Sequence, residues 1–154
     1  MRGSIPQGQT HLLGTPRRNT WCGLAFELVC LEHLPQIKQA LGISGVVTHA
    51  HSWRCKANPD GGISGSQIDL LIARQDRVID ICEMKYASTD YAMTKAYDQK
   101  LRGKAEDFRR ATKARDAIHM VLITTYGLTQ NAYSGRFQSV VTAEDLLAQA
   151  SVPY

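Results

Sequence analysis

The sequence predicts an α/β protein in which a mixed sheet is flanked by helices, and three stretches carry that prediction. Residues 67–86 (QIDLLIARQDRVIDICEMKY) read as two strands joined by a tight polar turn, with Ile, Val and Cys frequent as strands prefer. Residues 90–115 follow a helical period. Residues 117–125 (AIHMVLITT) are the most apolar run and read as a strand buried on both faces.

The chain has 154 residues, 44% hydrophobic and 21% charged, which suits one domain with one core. No apolar run approaches the ~20 residues that span a membrane, and no signal-peptide core opens the chain. A cytoplasmic protein with no membrane partner is expected. Cys22, Cys30, Cys55 and Cys82 lack paired spacing and read as reduced thiols. The net charge of +4 and pI near 9.0 are compatible with a nucleic-acid partner.

Residues 1–18 are polar and rich in Gly, Pro and Arg. They read as a flexible leader or linker remnant, and Met1-Arg2-Gly3-Ser4 resembles the start of an expression tag. Residues 19–154 form the predicted single domain. Asn19 or Thr20 caps a first helix reaching about His33, its apolar stripe formed by Leu24, Leu28 and Leu31 and widened by Phe26 and Val29. Glu27 falls between Leu24 and Leu31. Either it reaches solvent at the stripe's edge or it points at a functional site. Pro35 opens a short helix closed by Gly42. Residues 43–51 read as a strand on Val46, Val47 and Thr48, and 52–66 as a turn-rich loop. His49, His51 and Cys55 lack the second pair that a zinc site needs.

The strand pair 67–73 and 78–85 carries the chemistry. A three-residue turn at Gln75-Asp76-Arg77 pairs Arg74 with Val78. Counting along the ladder places Asp69 opposite Glu83, on one face with Leu71, Ile81 and Lys85. Two acids and an amine thus gather where an apolar face would otherwise continue. Carboxylates are hard oxygen ligands for Mg²⁺ or Mn²⁺. Asp69 and Glu83 would hold the ion, with the Met84 backbone carbonyl as a third ligand and Glu27 acting through a water. Lys85 would neutralise phosphate charge or assist a water.

Ser88 or Thr89 is expected to cap the long helix, with Gly103 as a break. Residues 90–115 hold eight Lys or Arg against four Asp or Glu, a surplus equal to the charge of the whole chain. Lys95, Lys100, Arg102, Lys104, Arg109 and Arg110 are the candidate DNA contacts; a merely solvated face is the competing reading. After the strand at 117–125, a polar loop leads to a last strand at 137–141. Thr142-Ala143-Glu144-Asp145 then opens a terminal helix in a capping-box pattern.

An acid on the first helix (Glu27), then I-D (Asp69), then E-x-K (Glu83, Lys85) in an αβββαβ frame resembles the PD-(D/E)XK nuclease superfamily. The runs WCGLAFE, GSQIDLLIARQDRVIDICEMKY, ITTYGLTQNAYS and VVTAEDLL resemble one subfamily, the nuclease-like domain at the C-terminus of certain bacterial AAA-type ATPases. Ile68 stands where the eponymous proline would, and no Walker-type motif occurs. The resemblance implies a restriction-endonuclease-like core and a Mg²⁺-dependent phosphodiesterase acting on DNA. Asp69 and Glu83 would be its metal ligands, with Lys85 and Glu27 completing the catalytic set. A silent module of the same fold, docking DNA or an ATPase partner, is the alternative. A protein-interaction or homo-oligomerisation domain is a third reading.

Overall fold

A computed structural model describes residues 16–149. Five strands form one sheet in the order β1-β2-β3-β4-β5. β2 (Ser66–Arg74) runs antiparallel to both of its neighbours, β1 (Thr48–Cys55) and β3 (Val78–Lys85). β4 (Ala117–Thr124) and β5 (Ser139–Thr142) continue the sheet in parallel with β3. The sheet is therefore mixed, as the element order predicts.

Helices cover both faces. α1 (Pro16–Glu32), α2 (Leu34–Ala40) and α4 (Ala143–Leu147) bury Phe26, Cys30, Ile37 and Leu146 against Leu70, Ile72, Cys82, Met84, Val121 and Ile123. α3 (Lys95–Thr112) buries Leu101 and Phe108 against Leu71, Ile79, Ile81, Met120 and Leu122. β3 and β4 thus alternate between two apolar layers, which is why both read as nearly continuous apolar runs. Among the described residues no helix is long and apolar enough to cross a membrane.

Several boundaries differ from the sequence expectation, each for a local reason. α1 begins at Pro16, inside the expected leader, because proline's fixed φ and missing N–H suit a helix's first turn. The expectation for residues 1–15 lies outside the described residues. The first strand begins at Thr48, not at residue 43. Gly42 takes a left-handed φ of 70° and Ile43 closes onto Lys38 O, so turn chemistry outranks the strand preference of Ile43, Val46 and Val47. α3 is capped by Thr94, whose hydroxyl accepts from Tyr97 N at 3.2 Å, rather than by Ser88 or Thr89. It runs through Gly103 unbroken and ends where Lys113 turns left-handed at φ 55°. The capping box at Thr142 and Asp145 forms as expected.

The largest departure is the burial of α1. Leu24, Leu28 and Leu31 were expected to face the core with Val29, yet all four are exposed. Of the expected face only Phe26 meets the sheet, joined by Cys30. The helix is apolar on two opposite faces, so periodicity identifies the helix without identifying its inner side.

Candidate functional site

The turn between β2 and β3 sets the register, with Ala73 opposite Ile79 and Leu71 opposite Ile81. That is the expected pairing. The ladder stops at Leu70 opposite Cys82, however, so Asp69 is not a ladder partner of Glu83. On the other side of β2, His51 pairs with Leu71 and Trp53 with Ile68. Ser52 therefore faces two residues, Asp69 and Leu70, across a bulge. The extra residue carries Ile68 and Leu71 into the same apolar layer despite their odd spacing. The strict alternation assumed for Asp69 and Leu71 fails here, and the bulge re-aims Asp69.

Asp69 still reaches the site. A cleft of about 520 Å³ is lined by Glu27 from α1, Asp69 from β2, Glu83, Met84 and Lys85 from β3, and Lys100 and Lys104 from α3. The structure thus brings together all four catalytic candidates. Of the two readings left open for Glu27, it takes the one facing the site. Its carboxyl pKa is raised, first by burial and then by the negative charge of Asp69, with Lys85 opposing and Glu83 adding to the rise.

Glu83 is only 7% exposed and fully engaged. Tyr97 Oη donates to its Oε2 at 2.5 Å and Lys104 Nζ to its Oε1 at 2.6 Å. Burial and the adjoining carboxylate push the Tyr97 hydroxyl far above its ordinary range, so it stays a donor. Lys85 Nζ lies 4.7 Å from the centroid of the Tyr97 ring, a cation–π arrangement. Asp69 Oδ1 accepts from Gln67 Nε2 at 2.6 Å and is exposed.

The part of the wall formed by residues 64–66 is held by Asp107 of α3. It accepts from Ser64 N at 3.0 Å, Ser64 Oγ at 2.9 Å and Ser66 Oγ at 2.5 Å. Burial works to raise the Asp107 pKa, but these donors together hold it below the usual carboxylate range. Between the two serines, Gly65 has a φ of 94°.

The candidate DNA contacts separate into groups. Lys104 lines the cleft rather than an outer helix face, its side chain 12% exposed and bound to Glu83. The reason is its spacing, since Tyr97, Leu101, Lys104 and Phe108 form the inner stripe of α3. Arg102 pairs with Asp98 at 3.1 Å, Arg109 donates to Asp116 O at 3.2 Å, and Arg110 donates to Gly62 O. Lys95 and Lys100 are exposed and have no ion-pair partner among the described residues. Tyr97 and Asp107 were missed as site residues, and Lys104 was named for DNA alone, without its bond to Glu83. The available signal was polar side chains falling within an apolar helical stripe.

The oxygens of Asp69, Glu83, Glu27 and the Met84 carbonyl are of the type a hard divalent cation would take, and both Glu83 oxygens are held by Tyr97 and Lys104. Among the described residues no three His, Cys, Asp or Glu side chains form a metal-binding group on their own. Backbone and water oxygens would have to complete the coordination.

Fold and cleft together define an α/β protein with a carboxylate-and-lysine site at one end of a mixed sheet. No family model matches the chain, and no curated protein matches it. Among solved structures it is similar to AF1548, a protein of unknown function, with a TM-score of 0.49 and 13% identity. The similarity covers 77% of this chain and 65% of that one.

Proposed function

We propose that this chain is a divalent-metal-dependent phosphodiesterase acting on DNA, with the restriction-endonuclease-like core of the PD-(D/E)XK superfamily. The nuclease-like domain of bacterial AAA-type ATPases is the subfamily it resembles. One observation carries the reading: Glu27, Asp69, Glu83 and Lys85, drawn from a helix and two strands, line one cleft.

Asp69, Glu83 and the Met84 carbonyl would hold Mg²⁺ or Mn²⁺, with Glu27 joined through a water. When bound, such an ion offsets carboxylate repulsion, polarises a phosphate oxygen and acidifies water. The protein's own groups do the rest. Lys85, steered by the Tyr97 ring, places its ammonium where charge builds on the phosphate. Glu27, with its raised pKa, is suited to accept the proton of the attacking water at its carboxylate. The water oxygen bonds to phosphorus as the ester P–O bond breaks, and the leaving oxygen takes a proton from solvent water, giving a phosphate monoester and a free hydroxyl. Lys100 in the cleft wall and Lys95 at the start of α3 would meet the DNA backbone.

A second reading has one observation in its favour. Both Glu83 oxygens already accept strong hydrogen bonds, from Tyr97 and Lys104. That suits a catalytically silent module of the same fold, docking DNA or an ATPase partner. Calorimetric titration with Mn²⁺, followed by cleavage assays on linear and branched DNA, separates the two. The nuclease reading expects metal binding that Glu83→Ala abolishes, and cleavage that Lys85→Ala abolishes. Salt-sensitive DNA binding with no metal binding would leave the docking module.

A further inference from the structure

The face of α1 turned away from the sheet carries Trp21, Leu24, Leu28 and Leu31, which are 69%, 57%, 63% and 41% exposed. Their spacing of three, four and three residues is the seam of a helix that packs along another helix. The side chains that anchor α1 to its own sheet, Phe26 and Cys30, lie on the other face. The seam is thus not required by the fold that the described residues form, and it is a larger apolar stripe than scattered surface leucines make.

We propose that α1 is the contact helix of a two-fold symmetric dimer of this chain, packed antiparallel against α1 of a second copy through Trp21, Leu24, Leu28 and Leu31. The stripe is symmetric about the position of Phe26. An antiparallel copy therefore sets Trp21 against Leu31 and Leu24 against Leu28, pairing the bulkiest residue with a smaller one at each end. Charge selects the same direction. Arg17 lies at one end of the helix and Glu32 at the other, both exposed. Antiparallel packing brings Glu32 of each copy within about one helical turn of the other copy's Arg17, whereas parallel packing sets like charges side by side. The contact is self-complementary and closes at two copies.

Sedimentation equilibrium of the full chain tests this, together with Leu24→Glu/Leu28→Glu. Wild type is expected at twice the 17.1 kDa chain mass. The double variant is expected at the chain mass with an unchanged far-UV circular dichroism spectrum, because neither side chain enters the core. A wild type that is monomeric at every concentration reached overturns the proposal, as does a charged variant that stays dimeric. Direction is read by disulfide trapping under oxidised glutathione. Leu24→Cys mixed with Leu28→Cys is expected to cross-link above the wild-type background, and neither variant alone. Equal cross-linking of each variant by itself overturns the antiparallel arrangement.

Discussion

Lys104 Nζ sits 2.6 Å from Glu83 Oε1, and this ion pair joins the inner stripe of α3 to the β3 strand that carries the candidate site. Both side chains are nearly buried, at 12% and 8% exposure. Removing one partner leaves the other charge with little solvent. Lys104→Met should therefore cost about 3 kcal/mol of stability, within the range for breaking a buried pair. Urea denaturation at neutral pH measures it.

Tyr97→Phe removes the other donor to Glu83 but keeps the ring beneath Lys85. The expected loss is about 1–3 kcal/mol, the cost of an unsatisfied buried acceptor. Because Tyr97 and Lys104 share one carboxylate, the double variant should depart from additivity by at least about 0.5 kcal/mol. An additive result in a double-mutant cycle would show that the two bonds act independently.

Glu27 supplies a pH signature. Its folded pKa lies above the ordinary 4.5, chiefly through burial and then Asp69. The folded state therefore binds this proton more tightly than the unfolded state. The associated stability is complete below the ordinary value and is lost as pH rises through the folded pKa. Glu27→Gln removes that loss. Its melting temperature should exceed the wild type's at neutral pH and converge with it toward pH 4.5, as read by thermal scans across pH.

Asp80 lies at the far end of the hairpin, 2% exposed, with its pKa raised by burial against the lowering effect of Arg74. The same sign applies, so its contribution falls as pH rises above the ordinary carboxylate range. Asp80→Asn should flatten the stability profile between acid and neutral pH, while Arg74 keeps its bonds to Asp76 at 2.9 and 2.5 Å. A profile as steep as wild type's would assign the slope to other groups.

Gly65→Ala should destabilise by about 1–3 kcal/mol, the range for a strained backbone position. Gly65 has a φ of 94°, and an added Cβ would stand 3.1 Å from Ala57 N. The change also displaces Ser64 and Ser66, which hold Asp107 of α3. Hydrogen exchange should therefore accelerate in α3 as well as at the substituted loop.

The sequence by itself determined the order of helices and strands, the three-residue turn at Gln75–Arg77 and the pairing of Leu71 with Ile81. These depend on periodicity, turn residues and loop length, all local quantities. It also singled out Glu27, Asp69, Glu83 and Lys85, because charged side chains interrupt patterns that would otherwise be apolar. Tertiary structure decided the rest. Which face of α1 is buried depends on the sheet it meets, since both faces are apolar. The bulge at Asp69 and Leu70 depends on how β1 pairs with β2, and it breaks the alternation that a single strand implies. Lys104 was legible only as one basic residue among several. Its role arises because the inner stripe of α3 brings Lys104 to the buried Glu83 carboxylate of β3, a meeting that no local pattern marks.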